Sequence, residues 1–130
     1  MAVGVASPAS AASTYGGAGT AVNLTIYNST QTSFLPTPPS SIPTSAKITS
    51  ITYDLNYSAP NLPPGSLTAY LCSTLSNCTE IHRPGTSTSF FNGLPASTQL
   101  QIRVQWYSPF LSGTISGGVA VTDSITVSYA

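Results

Sequence analysis

Apolar and polar residues alternate along much of this chain, and a repeat of two residues is the pattern of a half-buried β-strand. The clearest alternation spans residues 100–107, where one face carries Leu100, Ile102, Val104 and Trp106. Similar alternations cover residues 47–57 and residues 119–129. No segment has apolar residues at helical spacing for three turns. The pattern therefore predicts an all-β protein.

Turn-forming residues divide the remaining strand candidates. Shorter alternations cover residues 22–26 and 67–71, and residues 86–91 read as a short strand. The segment 34–45 contains four prolines and cannot be a central strand, so we expect it to cross between sheets or to cover an edge. About seven to eight strands, with turn signals every 8 to 12 residues or so, predict an antiparallel β-sandwich or a small barrel.

The length of 130 residues suits a single domain. Residues 1–20 are rich in Ala, Ser and Gly and are expected to form a flexible N-terminal arm, while residues 21–130 form the sandwich domain. The start has no basic residue before its apolar stretch, unlike an intact signal peptide. Either a signal was removed and Met1 is an added start, which we favour, or there never was one.

Asp123 interrupts the apolar parity of the last strand candidate. This position predicts either a β-bulge or two short strands that meet there. The segment Ser124–Tyr129 has no Lys or Pro, the residues that usually protect an exposed strand edge. We therefore expect this terminal strand to be paired internally or covered by a partner.

Charged residues are scarce, which limits the chemistry that the chain can perform. There are three acids and three bases, namely Asp54, Glu80, Asp123, Lys47, Arg83 and Arg103. No two acids lie within twenty residues of each other, and no G-x-S-x-G nucleophile motif is present. We therefore expect no enzyme activity, no catalytic residues, no cofactor and no small-molecule substrate.

The charge balance also bears on partners. The net charge is zero and the three bases are scattered, so nucleic acid is not an expected partner. No run approaches the roughly 18 to 20 apolar residues of a membrane span, so membrane insertion is not expected. A protein partner or self-assembly remains as the expected kind of interaction.

Cys72 and Cys78 flank five residues that read as the tip of a hairpin. We predict a disulfide between them, which would link the two strands locally and add about 2 kcal/mol to the free energy of unfolding. Free thiols are an alternative. A metal site is disfavoured, because two thiols with one nearby histidine, His82, fall short of a four-ligand zinc set.

Three residues are candidates for a partner surface. Tyr107 and Phe110 lie off or beyond the apolar face of residues 100–107, so their rings are free to supply contact area. Trp106 shares the parity of that face and is expected in the core. His82 lies between Glu80 and Arg83 and is either a pH-sensitive contact or a solvated strand end, since histidine changes charge near neutral pH.

Several motifs follow one another in roughly residues 48–129. They begin with a Tyr-bearing strand (ITYDL), a Pro-Gly turn before an L-x-x-Y-L-C strand (PPGSLTAYLC), and a second Cys followed by an acidic residue. They continue with FNGLPA, a strand ending in Trp106 and a terminal V-x-x-x-I-x-V-x-Y strand. In this order they resemble the FlhE family, small periplasmic proteins encoded with bacterial flagellar genes. The resemblance implies a non-enzymatic periplasmic accessory of the flagellum, acting as a plug or in a chaperone-like way.

A second functional class stays open. The chain is either such an accessory or a structural subunit of an extracellular filament or a capsid-decorating protein. In a structural subunit, low charge permits close lateral packing of copies, and the arm of residues 1–20 would add to a strand edge of a neighbouring copy. The many Ser and Thr residues with few Lys or Glu suit a periplasmic or extracellular location.

Overall fold

The computed structural model describes residues 13–73, 77–83 and 85–130. The strands are β1 (Ser13–Ala18), β2 (Val22–Ile26), β3 (Gln31–Phe34), β4 (Ile48–Ser58), β5 (Ser66–Ser73), β6 (Cys78–Ile81), β7 (Ser87–Thr88), β8 (Leu100–Tyr107) and β9 (Thr114–Tyr129). These described residues contain no helix, and accordingly none that is long and apolar enough to cross a membrane.

The strands form two antiparallel sheets that pack face to face. In the first sheet the order is β1-β9-β4-β7. β1 and β2 lie end to end along one side of β9, where β1 pairs with residues 124–129 and β2 pairs with residues 114–121. In the second sheet the order is β3-β8-β5-β6. The prediction of an all-β antiparallel sandwich in one domain is therefore confirmed.

The core lies between the sheets because alternate residues of each strand point inward. On β4 these are Ile51, Tyr53 and Leu55, and they face inward-pointing residues of β5 and β8 such as Leu71, Ile102, Val104 and Trp106. Trp106 is only 3% exposed, so the expectation that it packs in the core holds.

The two ends of the sandwich differ. One end carries the loops at residues 27–30, 59–65 and 108–113, and we call it the loop end. Hydrogen bonds link Asn28 to the 108–113 loop and Trp106 to the 59–65 loop. The opposite end carries the Cys72–Cys78 disulfide, which joins β5 to β6 at directly paired positions with Cα atoms 4.1 Å apart. The predicted disulfide is therefore present.

The predicted break at Asp123 is wrong. β9 pairs with β4 without a shift from Ser128 to Ala120, and Asp123 lies opposite Leu55. The irregularity lies instead at Gly117 and Gly118, where β9 loses register with β2 and φ is 79° and 69°. Glycine tolerates this left-handed conformation, so the bulge forms there, whereas Asp123 continues the strand with its side chain inward.

The terminal strand is paired on both sides, as expected for an edge without Lys or Pro. Residues Ser124–Tyr129 pair with β4 on one side and with β1 on the other. β1 belongs to the segment assigned to a flexible arm, and the structure corrects this for residues 13–18. Gly16 lets β1 lie close to β9, because an added Cβ there would collide with the Ile125 backbone, and β9 supplies partners for the backbone groups of β1. The rest of the arm, residues 1–12, lies outside the described residues.

Two connecting segments have the expected character. The proline-rich stretch after β3 crosses from the second sheet to β4 of the first sheet, as predicted for residues 34–45. The short strand predicted at 86–91 is reduced to Ser87–Thr88, because the chain turns at Phe90. Phe91 then leaves the strand direction and becomes fully buried, whereas Phe90 is 53% exposed.

Candidate functional site

The loop end is organised by the side chain of Asn28. Its amide nitrogen donates to the carbonyl oxygens of Ser108 at 2.9 Å and Leu111 at 3.2 Å. Its amide oxygen accepts from the backbone N–H of Ser108 at 2.9 Å. Asn28 has φ of 61°, a left-handed conformation that asparagine adopts more readily than most residues. One side chain therefore fixes the loop that connects β8 to β9.

The same loop is held from within by Ser108. This residue is 5% exposed, and its hydroxyl oxygen accepts from the backbone N–H groups of Phe110 at 3.2 Å and Leu111 at 3.1 Å. The resulting turn points the ring of Phe110 into solvent, where it is 92% exposed. A well-connected loop therefore presents an apolar ring that packs against almost nothing in its own chain.

The loop between β4 and β5 presents a second such side chain. Leu62 is 85% exposed and has φ of 44°. A left-handed backbone is costly for a bulky residue, and strained residues of this kind cluster at functional sites. The loop around Leu62 is nevertheless ordered, because Asn61 donates a side-chain hydrogen bond to Ser116 O at 3.2 Å.

The β4–β5 loop is also tied to the core. The indole N–H of Trp106 donates to Pro64 O at 3.0 Å. Gly65 then passes so close to β8 that an added Cβ would lie 2.5 Å from Tyr107 O, and its φ of 123° also favours glycine. Both loops are therefore anchored on the same end of β8.

Five large apolar residues in or beside these loops are exposed at this end of the sandwich, and we call them the apolar loop end. Apart from Leu62 and Phe110, its members are Ile26 at 50% exposed, Tyr107 at 44% and Leu111 at 39%. Large apolar side chains presented by ordered loops are typical of surfaces that bind another protein. Their display at one end of a rigid sandwich makes this end the first candidate site.

A polar cavity of about 320 Å³ lies beside the apolar loop end. It opens between β4 of one sheet and the ends of β5 and β6 of the other, and Gly65, Ser66, His82 and Arg83 are among its lining residues. The guanidinium carbon of Arg83 lies 4.9 Å from the ring centre of Tyr57. Tyr57 in turn packs edge to face on Trp106, with ring centres 5.3 Å apart. A cationic group is thus stacked on the core at the cavity.

The structure brings the three predicted surface residues into one region. Tyr107 and Phe110 belong to the apolar loop end, and His82 lines the adjacent cavity. Gly65 connects the two, because it lines the cavity and contacts the backbone of Tyr107. Cys72 and Cys78 lie at the opposite end. That these three residues contact a partner stays a prediction.

The acids do not converge on this region. Asp54 points outward from the first sheet, Glu80 is exposed on β6, and Asp123 is buried between the sheets at 6% exposed. Within residues 13–73, 77–83 and 85–130, no three His, Cys, Asp or Glu side chains group as metal ligands. The described acids therefore offer no pair for acid–base chemistry.

Sequence reasoning did not single out Leu62, Arg83 or Tyr57 for this site. Leu62 is a lone apolar residue in a proline-rich loop, and that isolation was the available signal. Arg83 and Tyr57 lie far apart in sequence, and only the approach of β4 to the end of β6 brings them together.

The fold and site define a class of protein: a one-domain antiparallel sandwich with an ordered apolar loop end. No protein-family profile and no curated protein sequence matches this chain. Among solved structures, the crystal structure of FlhE is similar, with a TM-score of 0.72 over 91% of this chain and 96% of that chain. The two sequences are 22% identical over this match. The chain therefore has a FlhE-like fold, and the resemblance seen in its motifs is confirmed at that level.

Proposed function

We propose that this chain is a FlhE-like accessory protein of the bacterial flagellum that acts by binding another protein. The observation that carries the proposal is the match of almost the whole chain to the FlhE fold, in addition to the motif order of residues 48–129.

The apolar loop end is the proposed binding surface. Phe110 and Leu62 are among the most exposed large apolar residues of the described chain, at 92% and 85%. Hydrogen bonds from Asn28, Ser108 and Asn61 already order the loops that carry them. A pre-ordered surface loses little conformational entropy on binding, which favours a plug-like or chaperone-like contact with a flagellar protein.

The proposed action involves no catalysis. The three acids occupy different faces of the sandwich, and His82 is exposed beside Arg83 at the cavity. A general acid–base pair needs two groups within reach of one substrate atom, and the described acids do not provide it. The role then depends on shape and contact area.

The proposed location is the periplasm or the outside of the cell. The Cys72–Cys78 disulfide supports this, because disulfides persist mainly in oxidising compartments. The near absence of Lys and Glu, with many surface hydroxyls, suits the same setting.

Cosedimentation with purified flagellar hook–basal bodies, isolated from a bacterium that encodes this chain, tests the proposal. We expect the wild-type protein to sediment with these particles in a saturable way. Phe110→Ser should weaken binding at least tenfold, since loss of one aromatic anchor commonly removes 2 kcal/mol or so. Because Phe110 is exposed, the variant should remain folded.

Phe90→Ser is the matched control. Phe90 is also an exposed aromatic, at 53%, but it lies in the β7–β8 connection, away from the apolar loop end. This variant should bind like the wild type. Absence of saturable binding by the wild type would refute the flagellar proposal, and equal losses in both variants would refute the assignment to the apolar loop end.

A structural subunit is the second candidate, and one observation favours it. β7 and the chain on both sides of it cover β4 from Ile48 to Tyr53, through backbone bonds such as Tyr53 N to Thr86 O, so the open part of this edge is the last part of β4, at residues 55–58. An extended arm from a neighbouring copy would add there by backbone pairing. Light scattering across a concentration series separates the candidates: a monomer supports the accessory, and trimers or filaments support the subunit.

A further inference from the structure

On the inner face of β9, Asp123 is the one acidic residue in a row of apolar side chains. Val121 and Ile125 flank Asp123 on this face, and Leu55 of β4 lies opposite it. Asp123 is 6% exposed, whereas the other two acids lie on outer faces. A buried carboxyl group without an ion-pair partner is expensive to keep ionised, so this one requires an explanation.

Asp123 lies at a corner where four strands meet. The link between β1 and β2 passes over it, and β3 of the opposite sheet approaches from the other side. The Ser33 hydroxyl oxygen on β3 lies 2.8 Å from Asp123 Oδ1 and 2.9 Å from the carbonyl oxygen of Thr20. Ser33 is itself fully buried.

The hydrogen count at Ser33 decides how this cluster is protonated. A serine hydroxyl has one hydrogen, whereas a carbonyl oxygen and an ionised carboxylate can only accept. Ser33 therefore cannot donate to Thr20 O and to an ionised Asp123 at the same time. Both contacts become hydrogen bonds when Asp123 is protonated, because Asp123 then donates to Ser33 and Ser33 donates to Thr20.

The second carboxyl oxygen agrees with this assignment. Asp123 Oδ2 is buried and has no hydrogen-bond partner among the described residues. An unpartnered oxygen costs less on a neutral acid than on a carboxylate. Burial raises the pKa of Asp123 above its ordinary value. A hydrogen bond donated by Ser33 would lower this pKa, but the contact with Thr20 O competes for that hydrogen.

No opposite charge among the described residues offsets the burial of Asp123. The other titratable side chains on the inner face of the first sheet are phenols, from Tyr15 on β1, Tyr53 and Tyr57 on β4, and Tyr129 on β9. Arg103 on β8 is opposite Thr32 of β3, and so it lies on the outer face of the second sheet, away from Ser33. From the described parts of β1–β4 and β8, no base faces Asp123.

The backbone of the corner depends on the same cluster. Gly19 N donates to Asp123 O at 2.9 Å, Thr20 N donates to Phe34 O at 3.1 Å, and Phe34 N donates to the Thr20 hydroxyl at 2.8 Å. An added Cβ at Gly19 would collide with Asp123 Oδ1 and Ser33 Oγ. The β1–β2 link is thus fastened to β3 and β9 directly around the carboxyl group.

We propose that Asp123 is a pH-sensitive latch, which fastens the β1–β2 link to β3 in its protonated form and loosens this corner when it ionises. Ionisation leaves Ser33 with two acceptors for one hydrogen and places an unpaired charge in the core. The corner therefore opens locally before the rest of the sandwich. This inference does not depend on the proposed flagellar role.

The direction of the pH effect follows from linkage. Because the pKa of Asp123 is higher in the folded than in the unfolded chain, its stabilisation is fully present below about pH 3.9, the ordinary aspartate value. It is lost as pH rises through the folded pKa and then stays lost. Across that window the unfolding constant rises by as much as tenfold per pH unit, which is about 1.4 kcal/mol.

Asp123→Asn provides the test, because a neutral amide of the same shape donates to Ser33 at every pH. Denaturation and amide hydrogen exchange are measured from pH 3 to pH 9 for both proteins, with rates corrected for intrinsic exchange. In the wild type, the amides of Gly19, Thr20 and Phe34 should lose protection as pH rises through the window. In the Asn variant these amides should keep their protection.

The amide of Ala96, which donates to Ala46 O at the disulfide end of the sandwich, is the control and should behave alike in the wild type and the variant. Identical pH profiles for the corner amides would overturn the latch.

Ser33→Ala keeps the proposal testable if the Asn variant does not fold. The pKa of Asp123 is read from the carbon-13 shift of its carboxyl group in the wild type and in this variant. If Asp123 donates to Ser33, removing the acceptor lowers the pKa of Asp123. A rise in this pKa would mean that Ser33 donates to a carboxylate, and the proposal would be wrong.

Discussion

Asn28 and Ser108 are eighty positions apart in the sequence, yet they bond to each other in both directions. The Asn28 amide group donates to Ser108 O at 2.9 Å and accepts from Ser108 N at 2.9 Å. The pair joins the β2–β3 turn to the β8–β9 loop, and each of these two connections crosses from one sheet to the other. The shape of the apolar loop end depends on this pair.

Asn28→Gly should lower the free energy of unfolding by about 2 kcal/mol, because the left-handed backbone is kept but the Ser108 and Leu111 groups lose their partner. Asn28→Ala should cost about 1 kcal/mol more, since alanine strains the positive φ. Chemical denaturation measures both. Asn56→Ala is the control, with an expected change within about 0.5 kcal/mol, because the exposed amide of Asn56 donates a hydrogen bond to the likewise exposed Asp54. If Asn28→Gly and Asn56→Ala lowered the free energy of unfolding equally, the Asn28 side chain would not be what holds the β8–β9 loop.

Leu62→Asn should leave stability unchanged or raise it by up to about 1 kcal/mol, while weakening partner binding. Asparagine tolerates the φ of 44° that leucine adopts only with strain, and the exposed leucine contributes little burial. Thermal unfolding and the hook–basal-body assay measure the two effects. A loss of stability with unchanged binding would show that Leu62 serves the fold instead of a partner.

The Cys72–Cys78 bond should act as a local clip. Cys72→Ala with Cys78→Ala should lower the unfolding free energy by about 2 kcal/mol, the chain-entropy estimate for so small a loop, and leave the fold intact. Denaturation with and without a reductant checks this, because the reductant should act on the wild type alone. Global unfolding of the double variant at room temperature would contradict the local role.

Gly19→Ala should lower the free energy of unfolding by about 1 to 3 kcal/mol, because the new methyl group collides with Asp123 and Ser33. The cost should fall in a Ser33→Ala background, where one colliding atom is gone. A double-mutant cycle by denaturation at pH 4 measures the difference. Strict additivity would show that Gly19 does not pack against this pair.

Much of the fold was readable from local pattern. The alternation in residues 100–107 predicted β8 and its inward face, including Trp106, because a pleated strand sends alternate side chains to opposite sides. The turn signals around Cys72 and Cys78 likewise predicted the hairpin and its disulfide. The prediction failed at Asp123, which faces inward like its apolar neighbours in β9 but carries a carboxyl group. Asp123 was read as a break because a carboxyl group alone does not belong in a core.

The sequence by itself determined that this chain is a charge-poor β-sandwich, since period-two patterning and turn residues act over a few neighbouring positions. Only the tertiary structure decided where its unusual groups meet. Ser33 of β3 contacts both Asp123 of β9 and Thr20 of the β1–β2 link, and Asn28 contacts Ser108 across the loop end. Such contacts depend on how the two sheets stack, and no local pattern in the sequence specifies which distant residues the stacking brings together.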